Sequence, residues 1–202
     1  MTRLSRIRFF VLAFLAFTSV VWASAPFPAV GATTSENGRF LVAMQFEYLN
    51  PDQQFRTITR VIYRVLRREE FINDKFITAN PFWSDTWSVS MAPKGIPPLP
   101  FVSNDGMYLV LVSVDPPFAD ITVLRIYRQR YGGEDLLGTY KLKDIWSADE
   151  LNAHATQTST GRPQWFAGST LGFSADNRAF VVRTPWGREL RLDLNGGAIY
   201  AQ

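Results

Sequence analysis

Three polar corners, whose serines are 68 and 71 residues apart, constrain the fold of this chain more than any other feature. In each corner a serine opens the turn, glycine or asparagine stands three residues later, and two apolar residues follow three and four residues after that. Asn-Gly, Asp-Gly and Asp-Asn pairs accept positive φ, so the backbone reverses and a strand begins. The pattern predicts three hairpin corners, at Ser35–Val42, Ser103–Val110 and Ser174–Val181.

Alternating apolar residues predict the strands around these corners. Phe40–Phe46 presents one apolar face, whereas Tyr108–Val114 is apolar on both faces, which is typical of a strand buried on both sides. The other predicted strands are Thr57–Leu66, Phe101–Val102, Ile121–Arg128, a stretch around Trp165–Phe173, residues 179–183 and Leu190–Leu194. A helical interpretation of Ile58–Glu70 remains open at this point.

The fold class predicted from these elements is all-β. We expect a single, mainly antiparallel β domain over residues 33–202, built from about three hairpin-containing laps. A capping box, Ser147 to Glu150, predicts one short helix near 148–154. A last strand at Ala198–Tyr200 is predicted to pair with Phe40–Phe46 and so complete the first sheet.

The N-terminus has the three-part order of a secretory signal peptide. Three arginines precede the apolar run Phe9–Trp22, and the small residues Ala23, Ser24 and Ala25 follow it. The run is short for a bilayer span of about 20 residues, although an uncleaved anchor is the alternative. We expect residues 1–25 to be removed by cleavage near residues 23–32, giving a secreted or periplasmic protein with no membrane span in the mature chain.

Removing this segment changes the charge and therefore the expected partners. Of the 21 Lys and Arg, three lie in residues 1–25, which leaves 18 to balance the 18 Asp and Glu. A neutral mature chain gives no electrostatic reason to expect nucleic acid as a partner. The absence of Cys and the single His exclude a disulfide framework, Cys-ligated zinc and a multi-histidine metal site within one chain, so we expect no metal and no cofactor.

The order of strand, serine corner, strand, turn and a strand ending in Asp-Leu-x-Gly is similar to blades of WD40-like β-propellers of the TolB type. The lap that carries the resemblance best is Leu171–Val182 followed by Arg191–Gly196. A propeller blade takes about 40–45 residues and closure takes at least four blades, whereas here three laps of roughly 70 residues occur. Blades with long insertions, a partly open antiparallel array and an unrelated sandwich all fit. The resemblance implies a scaffold for binding.

Two groups of residues are candidates for ligand binding. On a strand, Arg60 and Arg64 point to one side, and such a ridge suits an anionic polymer; the alternative is an exposed sheet face whose arginines pair with nearby acids. Trp83 and Trp87 lie in a predicted loop, within an aromatic cluster that includes Phe71, Phe76 and Phe82. Exposed Trp rings stack on sugars or mark protein interfaces, and buried ones would cover the core.

Catalytic groups are harder to assign. A hydrolase using paired carboxylates would draw on Asp115, Asp120, Glu134 or Asp135, but aspartates at turns usually serve turn geometry. His154 fits a helix C-terminus better than a general base. A Ca²⁺ site at Asp193–Gly196 lacks most of its oxygen ligands.

We therefore expect an exported, non-catalytic binding or interaction module, with no catalytic residues and with Trp83, Trp87, Arg60 and Arg64 as its ligand-binding candidates. The expected partner is a polysaccharide or an envelope protein. An exported hydrolase and a purely structural part of an envelope assembly are the alternatives.

Overall fold

The computed structural model describes residues 32–50, 52, 57–69, 82–92, 96–114, 120–154, 165–166, 168–196 and 199–201. The expected signal peptide lies outside these residues. Within them the chain forms two short helices and twelve strands: β1 (Ala32–Thr34), β2 (Phe40–Tyr48), β3 (Ile58–Glu69), β4 (Phe82–Met91), β5 (Leu99–Val102), β6 (Tyr108–Val112), β7 (Thr122–Arg130), β8 (Gly133–Lys141), α1 (Leu142–Ile145), α2 (Ala148–His154), β9 (Thr170–Phe173), β10 (Ala179–Arg183), β11 (Glu189–Asp193) and β12 (Ile199–Ala201).

The strands form three sheets of the same construction. Sheet 1 contains β1 to β4, sheet 2 contains β5 to β8 and sheet 3 contains β9 to β12, each antiparallel and each in chain order. The predicted all-β, mainly antiparallel fold is confirmed. The helical interpretation of Ile58–Glu70 is wrong, because Ile58–Glu69 is a single long strand that pairs on both sides.

The serine corners explain how each sheet begins. In the second corner the Ser103 carbonyl accepts from the Gly106 amide at 3.0 Å, and the Ser103 hydroxyl accepts from the Tyr108 amide at 3.0 Å and donates to Asp105 Oδ1 at 2.5 Å. The same bonds form around Ser35 and Ser174. The residue three positions after each serine has a positive φ, which is +68° at Gly38, +73° at Gly106 and +54° at Asn177. This conformation reverses the chain.

Sheet 2 lies in the middle of a three-sheet stack. On β6, Leu109 and Leu111 pack into a core shared with sheet 1, whereas Val110 and Val112 pack into a core shared with sheet 3. All four side chains are essentially inaccessible to solvent. The predicted burial of this strand on both faces is confirmed, and each of the other two sheets turns one face away from the cores.

Hydrogen bonds join the three corners at one end of the stack, which we call the corner end. The backbone N–H of Asn37 donates to Asn104 Oδ1 at 2.9 Å, and the backbone N–H of Asn104 donates to Asn177 Oδ1 at 3.0 Å. The Thr33 hydroxyl donates to the Pro100 carbonyl at 2.7 Å and ties β1 to β5. These bonds join the three corners that follow β1, β5 and β9 to one another, and they join β1 to β5 directly.

The predicted pairing of the last strand with Phe40–Phe46 is wrong. Ile199–Ala201 forms β12 and pairs with β11, opposite Leu190–Leu192. The reason is that β2 already has β1 on one side and β3 on the other, so its hydrogen-bonding edges are occupied.

The predicted loop around Trp83 and Trp87 is also wrong. Both residues lie in β4, which pairs with β3 across a register shift between Val65 and Leu66. Aromatic residues and threonine favour extended backbone, and the stretch from Phe82 to Met91 contains no Gly or Pro to interrupt it. The predicted helix is confirmed as α2, and no helix in the described ranges is long and apolar enough to cross a membrane.

Candidate functional site

A cavity of about 790 Å³ lies where the first strands of the three sheets meet. Its volume falls in the range of about 300–1,000 Å³ that is usual for ligand sites. Thr33 of β1, Phe101 of β5 and Phe173 of β9 are among the side chains that line it. Phe101 and Phe173 are held by edge-to-face contacts with Phe180, at ring-centre distances of 5.5 and 5.3 Å.

The cavity extends over the face of sheet 3 that points away from the cores. On this face Gly172 is opposite Val181, and Val181 is opposite Arg191 in the next strand. A Cβ added at Gly172 would meet no atom within 4 Å. Gly172 therefore leaves a vacant side-chain position in the wall of the cavity.

Two arginines give the wall near Gly172 a positive charge. Arg183 Nε donates to Glu189 Oε2 at 2.7 Å, and Arg191 Nη1 donates to Glu189 Oε1 at 3.0 Å. The hydrogen bonds from Arg183 and Arg191 lower the pKa of Glu189, so this carboxylate stays ionised. Since two guanidinium groups share one carboxylate, the local balance is positive.

Two acids line the cavity at the corner end. Glu36 follows the first serine and is exposed, and Asp176 occupies the equivalent of Asn37 in the third corner. The Ser174 hydroxyl and the Arg178 amide donate to Asp176, and these bonds lower the pKa of its carboxyl group. The cavity thus has two guanidinium groups near Arg183 and two carboxylates at the corners, where Arg178 Nε lies 3.8 Å from Asp176 Oδ2 and Glu36 is exposed.

Arg60 and Arg64 lie elsewhere, on the end face of sheet 1, which is the face pointing away from sheet 2. Arg60 Nη1 is 3.4 Å from Glu47 Oε2, and Arg64 Nε donates to Asp85 Oδ1 at 3.0 Å. Each arginine is therefore matched by an acid on a neighbouring strand, which is the pattern of a solvent-facing sheet surface. Whether this face binds a ligand stays a prediction.

Trp83 and Trp87 point to opposite faces of sheet 1. Trp87 is opposite Val65 on the core side, only 8% exposed, and its Nε1 donates to the Gly106 carbonyl at 2.8 Å. This low exposure fits the alternative in which the ring covers the core, and whether Trp87 contributes to a ligand site stays a prediction. Trp83 is opposite Arg68 on the end face and is half-buried.

Two of the candidate carboxylates, Asp120 and Asp135, form ion pairs with basic side chains. Asp120 contacts Lys143 at 2.7 Å, and the hydrogen bond from Lys143 lowers the pKa of Asp120. Asp135 pairs with Arg130 at 3.2 Å and with Arg128 at 3.6 Å. Asp115 and the side chain of His154 lie outside the described part of the chain. Among the residues that are described, no group of three or more His, Asp or Glu is placed to hold a metal ion.

No protein-family model, curated protein or solved structure matches this chain. The cavity residues were missed at the sequence level, because residues far apart in the chain form the cavity only through the stacking of three sheets. One signal was present: the short strands before the corners, at Phe101–Val102 and near Phe173, stand where the cavity walls begin.

Proposed function

We propose that this protein is an exported, non-catalytic binding module whose ligand occupies the cavity between β1, β5 and β9. The single observation that carries the proposal is the convergence of three sheets on one cavity of about 790 Å³ with apolar walls and fixed charges. Ligand sites typically combine such walls with a few oriented polar groups.

The charges of the described carboxyl groups support binding rather than hydrolysis. A hydrolase with paired carboxylates needs one acid whose pKa is raised, so that it can donate a proton. Every described carboxyl group with a shifted pKa is shifted downward, including Asp176 in the cavity wall. Ionised carboxylates bind cations and hydrogen-bond donors but do not serve as general acids near neutral pH.

Export is supported by the sequence of residues 1–25 alone. A basic start, an apolar run and small residues favour a cleaved signal. Cell fractionation followed by N-terminal sequencing tests this part, with a first residue between about 24 and 33 expected. Recovery from the cytosol with Arg3 still present would contradict it.

The experiment for the binding function compares two surfaces of the same protein. Thermal unfolding is followed with a panel of neutral and anionic oligosaccharides and short peptides, on the natural chain and on two variants. Arg183→Gln changes the cavity wall, and Arg64→Gln removes the matching charge from the end face of sheet 1. Both arginines pair with one carboxylate on a neighbouring strand, so the second variant is a matched control.

We expect a ligand that raises the unfolding temperature of the natural chain and of Arg64→Gln, and that raises it less for Arg183→Gln. If a ligand raises the unfolding temperature less for Arg64→Gln and equally for Arg183→Gln and the natural chain, the ligand binds on sheet 1 and the cavity is refuted as the binding site.

A further inference from the structure

We propose that the ligand of this cavity is a short peptide with free termini, extended and antiparallel to β9 as an added strand of sheet 3. This inference rests on the proposed function and deepens it by naming the ligand class. It follows from three observations: a strand edge that has no neighbour among the described residues, a vacant side-chain position, and oppositely charged side chains near the two ends of that edge.

The edge of β9 offers unpaired backbone groups to the cavity. Within the described residues β9 has one neighbour, β10. The Ser174 amide donates to the Ala179 carbonyl, and alternation from that pair directs the N–H and C=O groups of Leu171 and Phe173 away from β10. An extended peptide can take up these four groups, as in other cases of β-strand addition.

Gly172 lies between these two residues and faces the cavity without a side chain. Glycine inside a strand often marks a place where another backbone or a ligand approaches closely. The side chain of the added strand beside Gly172 fits over Val181, while the neighbouring side chains point toward Phe101 and Phe173.

The charges set the direction and the length. Arg183 is opposite Thr170, where β9 begins, whereas Asp176 and Glu36 lie beyond Phe173, where it ends. A peptide antiparallel to β9 therefore has its terminal carboxylate at the end of the edge where Arg183 lines the cavity, and its amino group at the end where the two acids line it. Four residues at about 3.4 Å each span this edge.

The probe is the tetrapeptide Ala-Leu-Ala-Leu, measured by calorimetric titration at low ionic strength in three forms: with free termini, N-acetylated and C-amidated. We expect N-acetylation and C-amidation each to raise Kd about tenfold, since each removes one charge-assisted contact. Equal affinity of the three forms would overturn the proposal and indicate recognition of an internal protein segment.

Protein variants show which residue meets which terminus. Arg183→Gln should raise Kd for the peptide with free termini about tenfold and leave Kd for the C-amidated peptide unchanged. Glu36→Gln should also raise Kd for the peptide with free termini about tenfold, and it should leave Kd for the N-acetylated peptide unchanged. Loss of affinity for both capped forms with either variant would overturn the assigned direction.

Gly172→Val is the test of strand addition. A Cβ at this position meets no atom within 4 Å and valine suits an extended strand, so we expect the fold to be kept. The added side chain fills the position over Val181 that the peptide side chain would take, which should raise Kd for all three forms at least about tenfold. Thr139→Val, an exposed strand position in β8 outside the cavity, is the control and should bind as the natural chain does. Binding by Gly172→Val with unchanged Kd would overturn strand addition.

The two proposals fail differently. If the protein binds none of the three tetrapeptides but binds an oligosaccharide, and this binding depends on Arg183, the peptide inference is refuted and the cavity remains the proposed binding site. If ligand affinity changes in Arg64→Gln and in none of the cavity variants, both proposals are refuted.

Discussion

Gly106 is the residue at which corner geometry and sheet packing depend most on each other. Its φ of +73° reverses the chain, and its carbonyl accepts from Trp87 Nε1 of sheet 1. A Cβ at this position would overlap the ring of Phe40. Gly38 occupies the same place in the first corner with a φ of +68°, but a Cβ there would meet nothing.

This difference makes a matched pair of variants. Gly38→Ala should cost about 1 kcal/mol of unfolding free energy, because alanine disfavours positive φ. Gly106→Ala should cost about 3 kcal/mol, because the overlap with Phe40 adds to the same backbone term. Urea denaturation measures both, and equal losses would show that Phe40 does not pack over this corner.

The two tryptophans of β4 give a second residue-level prediction. Trp87→Phe leaves the buried Gly106 carbonyl without its donor and opens space in the core, so we expect a loss of about 2–3 kcal/mol. Trp83→Phe, on the half-buried opposite face, should cost under about 1 kcal/mol. Urea denaturation of the two variants checks this, and a larger loss from Trp83→Phe would contradict the assignment of faces.

At the scale of elements, local chemistry made the strands that follow the corners and one helix predictable, but not β4, which was predicted to be a loop. The strands after the corners and α2 were found from alternation, from turn residues such as Gly38 and from the Ser147–Glu150 capping box, all of which act over a few residues. The pairing of β12 was not found, because it depends on β2 being occupied on both edges. The cavity was not found either, since the stacking order of sheets leaves no short-range pattern.

The N-terminus of α2 carries the clearest pH dependence. The Glu150 carboxylate accepts from the Ser147 amide at 2.9 Å and the Ser147 hydroxyl at 3.1 Å, and it also pairs with Arg188 in the β10–β11 turn. Burial favours the neutral acid, but these donors outweigh it and lower the pKa of Glu150. The contact joins α2 to sheet 3.

Because the pKa of Glu150 is lower in the folded chain, its contribution to stability is fully present above about pH 4.3 and is lost as the pH falls below that value. The natural chain should therefore lose more stability between about pH 6 and pH 3.5 than Glu150→Gln does. Denaturant midpoints at the two pH values measure this. A loss of the same size in the variant would show that the Glu150–Arg188 contact does not contribute to stability in solution.

The whole molecule is a stack whose middle sheet is covered on both faces and whose outer faces carry paired charges. Arg64 with Asp85 on sheet 1 and Arg183 with Glu189 on sheet 3 are the kind of polar surface that ends a stack rather than extends it. The first strands of the three sheets, β1, β5 and β9, border the cavity.

The most direct test of the binding cavity is a map of backbone amide shifts by NMR during titration with Ala-Leu-Ala-Leu and with the oligosaccharides. We predict that the ligand that binds shifts three segments that are distant in sequence, 32–36, 99–104 and 170–176, together with Val181 and Arg183. Shifts confined to residues 58–69 and 82–91 would place the ligand on the end face of sheet 1 and contradict the account.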